Sequence, residues 1–140
     1  MKLWLALVAV LLTAPGLTLA ADDITVHDAW VRAAPPGATV LAAYLTIDNH
    51  SARAQALSGA SSPQFESVEI HRTEIKNGVA SMSTQPRVAI AAHGTLSFAP
   101  NGYHLMLIGP RKTLHAGDHV ELRVQFDGHP IQLIHAPLRA

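Results

Sequence analysis

A histidine and a methionine lie two residues apart in the segment YHLMLIG, residues 103–109. The turn residues PNG before it and GP after it predict a short β-strand. Successive side chains of a strand point to opposite faces, so His104 and Met106 share one face while Leu105 and Leu107 occupy the other. At about 3.3 Å per residue, His104 and Met106 are about 7 Å apart, and flexible side chains at that spacing can converge on one metal ion.

A second histidine and methionine are predicted to meet on a β-hairpin. The dipeptide Asn77-Gly78 is a strong signal for a two-residue type I′ turn between residues 71–76 and 79–84. That turn places Met82 opposite Thr73, which makes Met82 a diagonal neighbour of His71 on the same face. Diagonal neighbours are about 7–8 Å apart at Cα, which is within reach of long side chains. The hairpin therefore predicts a second imidazole–thioether pair.

The two pairs together form a donor set of two imidazoles and two thioethers: His71, Met82, His104 and Met106. Soft, uncharged donors of this kind favour Cu(I), whereas Mg²⁺ and Ca²⁺ prefer carboxylates and zinc prefers cysteine, histidine or carboxylate. The sequence contains no cysteine, which excludes a blue-copper centre, thiol–disulfide chemistry and a cysteine-ligated iron–sulfur cluster. The residue types therefore favour Cu(I) over the other common metal ions at these two pairs.

The first twenty residues differ in kind from the rest. Lys2 precedes an apolar run over residues 3–12, Pro15 and Gly16 follow it, and the small residues of TLA end at Ala20. This pattern predicts a secretory signal peptide, residues 1–20, cleaved after about Ala20 to leave a single domain over residues 21–140. The run is shorter than the about 20 apolar residues that span a bilayer, and no cysteine follows it, so we expect no stable membrane or lipid anchor.

The charge balance argues against a nucleic-acid partner. Ten Lys and Arg residues match ten Asp and Glu residues, and the loss of Lys2 with the signal peptide leaves nine basic residues. A nucleic-acid-binding domain usually carries a basic patch, and this composition offers no excess of basic side chains to build one.

Short β-type segments alternate with turn residues along the rest of the sequence. Candidate strands cover residues 24–33, 40–49, 65–75, 79–84, 88–92, 95–98, 103–108, 119–126 and 131–136, with a polar loop after the second. No stretch shows a helical period with caps, and turn signals recur about every eight to twelve residues. We therefore predict an all-β sandwich or barrel in one domain.

The spacing of the four candidate ligands resembles a known motif. Read along the chain, they follow the pattern H-x10-M-x21-H-x-M, which is similar to the motif of the periplasmic copper chaperones called PCuAC. The segments AWVRAAPPGATVLAAYLTIDN and GYHLMLIGP extend the resemblance over nearly all of the mature chain.

The resemblance implies a cupredoxin-like antiparallel β-sandwich with Greek-key topology and a periplasmic location. It implies that His71, Met82, His104 and Met106 bind one Cu(I) ion per chain, without catalysis. It also implies handover of copper for assembly of the dinuclear copper centre of cytochrome c oxidase. The partner would be a copper-receiving protein with cysteine thiolates, either oxidase subunit II or a Sco-type chaperone. The chain ends in IHAPLRA without the His/Met-rich extension of some family members, which argues against a second copper site.

Other histidines and other functions are weaker alternatives. His115 and His119 are four residues apart, as on a zinc-binding helix, but the glycine between them favours a loop. His129 and His135 could hold Cu(II) weakly. An enzyme is disfavoured because the sequence has no nucleophile elbow, no H-E-x-x-H motif and no thiol nucleophile. The remaining alternative is a metal-free exported β-sandwich interaction module whose His/Met face serves only packing.

Overall fold

The computed structural model of the protein describes residues 23–140, so the predicted signal peptide and its cleavage point lie outside the described residues. Ten strands form the regular structure of this part: β1 (Ile24–Arg32), β2 (Val40–Asn49), β3 (Gln55–Ser61), β4 (Phe65–Lys76), β5 (Val79–Thr84), β6 (Val88–Ile90), β7 (Thr95–Ser97), β8 (Tyr103–Pro110), β9 (His119–Phe126) and β10 (Gln132–Arg139). Residues 23–140 include no helix that is long and apolar enough to cross a membrane.

The strands are arranged as two packed sheets. One has the order β5-β4-β8-β2-β1, with β7 pairing to the C-terminal part of β2, and the other has the order β10-β9-β3-β6. The sheets are joined where β1 runs parallel to β10, with Val31 opposite Leu138 and Arg32 opposite Arg139. The other pairings are antiparallel. This arrangement confirms the predicted all-β sandwich and adds one short parallel pair to it.

The core between the sheets determines which face carries the candidate ligands. Leu105 and Leu107 on β8 and Leu122 on β9 are 0% exposed. Burying a leucine stabilises a fold by about 1.5–3 kcal/mol relative to leaving it in water. Since side chains alternate along a strand, burial of the β8 leucines sends His104 and Met106 to the opposite face of the sheet.

Strand β3 differs from the sequence prediction, which assigns a polar loop after β2 and no strand between residues 49 and 65. Its sequence, QALSGAS, contains one large apolar residue, Leu57, which is fully buried. The strand forms because β9 and β6 pair with its two edges, with a register shift between Leu57 and Gly59 on the β9 side. Pairing with distant strands thus overrides a weak local pattern.

A buried asparagine holds the polar loop that does separate β2 from β3. The amide of Asn49 donates hydrogen bonds to the carbonyls of Arg53, Ile90 and Ala91. Its side-chain oxygen accepts bonds from the backbone N–H and the hydroxyl of Ser51. The polar atoms of the buried Asn49 side chain therefore all have hydrogen-bond partners, without which its burial would cost free energy. These bonds hold the loop that leads into β3.

The β4–β5 hairpin has the register that the sequence predicts. Asn77 and Gly78 have positive φ angles of 52° and 76°, as a type I′ turn requires at both central positions. Met82 lies opposite Thr73, so it is a diagonal neighbour of His71. β5 is an edge strand, and all of its residues are exposed. The turn therefore sets the position of Met82 relative to the inner strands.

A charged hydrogen-bond cluster joins β1 to β2. The two ring nitrogens of His27 lie 2.9 Å from the Asp28 carboxylate and 2.7 Å from the Asp48 carboxylate. These bonds, with Asp28 first and Asp48 second, raise the pKa of His27 above its ordinary value. The hydroxyl of Thr95 donates to Asp48 at 2.8 Å, and this bond, followed by the bond to His27, lowers the pKa of Asp48. The cluster is strongest when His27 is cationic and Asp48 is anionic.

We predict that the stability supplied by this cluster depends on pH. Because the pKa of His27 is raised on folding, its contribution is complete below its ordinary value of 6.5 and is lost as the pH rises through the folded-state pKa. The pKa of Asp48 is lowered, so its contribution is present above 3.8 and is lost only in stronger acid. The substitution His27→Gln should therefore cost more unfolding free energy at about pH 5.5 than at about pH 8.5.

Urea denaturation of both proteins at the two pH values measures this difference. The substitution His119→Gln, at the exposed start of β9, is the matched control and should cost the same at both pH values. A cost of His27→Gln that does not change between the two conditions would contradict the prediction.

Candidate metal centre

The two histidines of the candidate set are cross-strand neighbours. β4 and β8 are antiparallel, and their register pairs His71 directly with His104. The ring centroids are 5.7 Å apart, and the ring planes are inclined at 51°. A metal–imidazole bond is about 2 Å long, so an ion bound by both rings would lie roughly 3 Å from each centroid. The observed separation therefore fits a single ion between the two rings.

His104 is buried and has its proton placed by a backbone carbonyl. Its Nδ1–H donates to the carbonyl oxygen of Gly102 at 3.2 Å. A carbonyl oxygen can only accept, so the neutral ring carries its proton on Nδ1. The lone pair of Nε2 is consequently the one that can bind a metal ion.

Aromatic side chains border the histidine pair on the β2 side. The register that sets Ala43 opposite Leu105 brings Tyr44 to the level of His104. Tyr44 is buried and packs against Trp30 on β1, with ring centroids 4.8 Å apart. Because side chains alternate along each strand, Tyr44 lies on the same face of the sheet as His104.

His71 is held by a carboxylate on its own strand. Its Nε2–H donates to Oε2 of Glu69 at 2.7 Å, and 13% of the His71 side chain is exposed. Its Nδ1 is buried and has no hydrogen-bond partner within the described residues. A buried polar atom without a partner costs about 1–3 kcal/mol, and a bound metal ion would remove that cost. The unpartnered nitrogen is therefore an observation of this structure that fits a metal ligand.

The two methionines lie on the same face as the histidines but differ in exposure. Met106 is half-buried, with Glu69 opposite it on β4 and Ala42 opposite it on β2. Met82 lies opposite Thr73 on the edge strand β5 and is 61% exposed. Of the four candidate ligands, three are therefore held on inner strands and one stands at the exposed edge.

The structure thus brings all four predicted residues to one face of the sheet, and their role as metal ligands stays a prediction. Residues 23–140 contain no group of three or more His, Cys, Asp or Glu side chains arranged to hold a metal ion. The candidate set supplies two such side chains, His71 and His104. A third donor from this set would have to be a thioether, which is the soft donor that Cu(I) accepts and Mg²⁺ or Ca²⁺ does not.

Glu69 is a residue of this site that the sequence analysis did not single out. It precedes His71 by two positions, so the two side chains share a face of β4. The spacing E-x-H on a strand was the available signal. It is a weak one, because a glutamate two residues from a histidine is ordinary on a half-exposed strand, and spacing alone does not tell whether the side chains bond.

The weaker histidine candidates lie away from this face. His115 is in the loop before β9 and His119 begins that strand, so they do not share a helix. His129 bonds through Nε2 to the side-chain oxygen of Gln55 at 3.0 Å, and His135 lies on β10. The structure places neither pair with the candidate set.

The difference in exposure between the methionines predicts an order of oxidation. Peroxide converts methionine to its sulfoxide fastest where the sulfur is accessible. We expect Met82 of the metal-free protein to be oxidised several-fold faster than Met106, as measured by peptide mass spectrometry over a time course. The urea-unfolded protein, in which both residues are accessible, is the control and should show similar rates. Similar rates in the native protein would mean that Met82 is shielded.

Comparison with known proteins places the chain in a family. A family model described as "Putative lipoprotein LpqE-like" matches residues 24–137. The protein "Putative lipoprotein Lxx21020" of Leifsonia xyli subsp. xyli (strain CTCB07) is 32% identical over 120 residues, which cover 85% of this chain and 71% of that protein. The term lipoprotein describes that family model and that relative. The sequence of this chain contains no cysteine.

Solved structures resemble the chain over most of its length. Apo-DR1885 from Deinococcus radiodurans is 30% identical with a TM-score of 0.66, covering 99% of this chain and 95% of that one. The Cu(I) form of DR1885 is 31% identical with a TM-score of 0.64, covering 79% and 74%. The copper-bound PCuAC domain from PmoF2 has a TM-score of 0.72 at 24% identity, covering 86% and 96%, and this likeness confirms the cupredoxin-like fold. The chain therefore belongs to the LpqE-like family and has the fold of the PCuAC domains.

Proposed function

We propose that this protein is a Cu(I) carrier that binds one copper ion through His71, Met82, His104 and Met106 and hands it to a partner without catalysing a reaction. The observation that carries the proposal is the direct pairing of His71 with His104, with ring centroids 5.7 Å apart, on the face that also presents both thioethers. These soft, uncharged donors suit Cu(I). The similar structures include a copper-bound PCuAC domain and the Cu(I) form of DR1885, which supports copper as the ion.

The graded exposure of the donors supports binding followed by release. Both imidazoles and Met106 are held on inner strands, whereas Met82 is exposed at the sheet edge. An imidazole must be neutral to bind a metal, but a thioether carries no proton, so acid does not remove Met82 from the donor set. Met82 is the donor that an incoming ligand can displace first while the other three still hold the ion.

A recipient with cysteine thiolates is the partner that this chemistry favours. Thiolate is a stronger soft ligand than thioether, so it can take Cu(I) by exchange of one donor at a time. The resemblance to PCuAC proteins supports oxidase subunit II or a Sco-type chaperone as the recipient, in assembly of the dinuclear copper centre of cytochrome c oxidase.

The rate of Cu(I) transfer to a peptide with two cysteines should increase as the peptide concentration rises. A rate independent of the peptide would mean that copper leaves into solvent first.

Export to the periplasm is part of the proposal. It is supported by the positive start, the apolar run and the small residues of the first twenty positions, which together form a signal-peptide pattern. Mass spectrometry of the protein recovered from a periplasmic extract should give a chain that starts near Ala21. Recovery of the protein from the cytoplasm with its first twenty residues intact would refute export.

The exposure of Met82 favours the carrier over the metal-free module. A methionine that is 61% exposed does little packing, so it does not fit a metal-free module in which the His/Met face is only a packed surface. An enzyme would convert a substrate when loaded with copper, whereas a carrier would only exchange the ion. Assays of the copper-loaded protein with phenol or amine oxidase substrates separate these two functions.

We predict that the double substitution Met82→Leu/Met106→Leu abolishes tight Cu(I) binding and leaves the fold intact. Leucine conserves the volume of methionine, and such swaps usually cost less than about 1.5 kcal/mol of stability. Removing two donors should weaken binding by at least about 100-fold, which corresponds to about 2.8 kcal/mol. Titration with Cu(I) against a competing chelator should show one equivalent for the wild type and none for the variant.

The matched control is the double substitution His115→Gln/His119→Gln, which changes two exposed histidines outside the candidate set. It should bind one equivalent as tightly as the wild type. Tight binding by the methionine variant, or loss of binding in the histidine control, would place the copper elsewhere. Absence of binding by the wild type would favour the metal-free module.

A further inference from the structure

The carboxylate of Glu69 stands between two of the candidate copper ligands. On its own strand it accepts the Nε2–H of His71 at 2.7 Å, and across the sheet it lies opposite Met106. We infer that Glu69 is the positioning residue of the copper site: it holds His71 in the tautomer that presents Nδ1 to the ion. This inference rests on the proposed Cu(I) site and adds a residue outside the four ligands.

The tautomer follows from the partner of each ring. An ionised carboxylate is an acceptor only, so the bond to Glu69 requires the proton of neutral His71 to be on Nε2. That leaves a lone pair on Nδ1, the atom that is buried without a hydrogen-bond partner within the described residues. His104 has the reverse arrangement, because Gly102 accepts from its Nδ1–H. The site would therefore bind copper through Nδ1 of His71 and Nε2 of His104.

The carboxylate of Glu69 pairs with a candidate copper ligand and not with a basic side chain of its own strand. The neighbouring basic residues Arg72 and Lys76 pair with Glu74, at 3.5 and 3.9 Å, and these three side chains alternate onto the other face of β4. Glu69 has His71 as its partner. Four neutral donors leave the positive charge of Cu(I) uncompensated, and a carboxylate bonded behind a ligating imidazole offsets that charge and strengthens the ring as a donor.

Substitutions of Glu69 test whether this residue positions the His71 ring or only contributes to folding. Glu69→Ala removes the acceptor, and Glu69→Gln keeps an acceptor oxygen of similar shape without the charge. Glu74→Gln is the matched control, because it changes a glutamate of the same strand that bonds on the other face. Two readouts are needed: the ¹⁵N chemical shifts of the His71 ring in the metal-free protein at about pH 8, and the Cu(I) affinity measured against a competing chelator.

We expect the wild type and Glu74→Gln to show His71 with its proton on Nε2 and to bind Cu(I) equally well. In Glu69→Ala the ring should populate both tautomers, and the Cu(I) affinity should fall by about 10–100-fold, the usual effect of losing such a partner. Glu69→Gln should show a smaller loss, because its amide oxygen can still accept from Nε2–H.

The two proposals fail in different ways. A wild type that binds no Cu(I) overturns the proposed function and this inference with it. A wild type that binds, with Glu69→Ala unchanged in both tautomer and affinity, overturns the role of Glu69 alone. A loss of affinity in Glu69→Ala without any change of tautomer, or an equal loss in Glu74→Gln, also overturns it, since neither result requires the ring to be positioned.

Discussion

The candidate copper site depends on one cross-strand pairing, that of His71 with His104. A slip of one residue between β4 and β8 would turn one of the two imidazoles toward the core, because side chains alternate along each strand. The register is secured from both sides, since β8 also pairs with β2 and its inward residues Leu105 and Leu107 are fully buried. The hydrophobic core thus determines the geometry of a polar site on the opposite face of the sheet.

The candidate ligands also differ in exposure, from the buried and half-buried side chains on the inner strands to the exposed Met82 at the edge of the sheet. The most constrained parts of the site are the ring of His104, hydrogen-bonded to the backbone carbonyl of Gly102, and the ring of His71, hydrogen-bonded to Glu69. Its least constrained part is Met82 on a strand that is exposed throughout. A metal site closed on all sides would hold its ion tightly but would give a partner no place to begin an exchange. A carrier needs both properties, and the position of the site across inner and edge strands supplies them.

The amino-acid sequence predicts correctly those features whose interacting residues are close along the chain. The hairpin turn set the register of His71 and Met82, and strand alternation set the facing of residues 103–109. The pairing of β4 with β8 could not be derived in this way, because it depends on how the whole sheet assembles. The bond from His71 to Glu69 depends on rotamers, which spacing does not determine. Strand β3 was missed because Leu57 is its one large apolar residue and its partners are distant strands.

The parallel contact between β1 and β10 has a consequence for folding kinetics. It joins Val31 to Leu138, near the two ends of the described chain. Contacts between such distant residues form slowly, because the entropy of closing the long loop is lost before the contact contributes. Until β10 docks, β1 pairs only with β2 and β9 pairs only with β3, so the two sheets are not joined at this edge. A chain that ends before β10 therefore lacks the strand that joins the two sheets and leaves one edge of β1 and one edge of β9 unpaired.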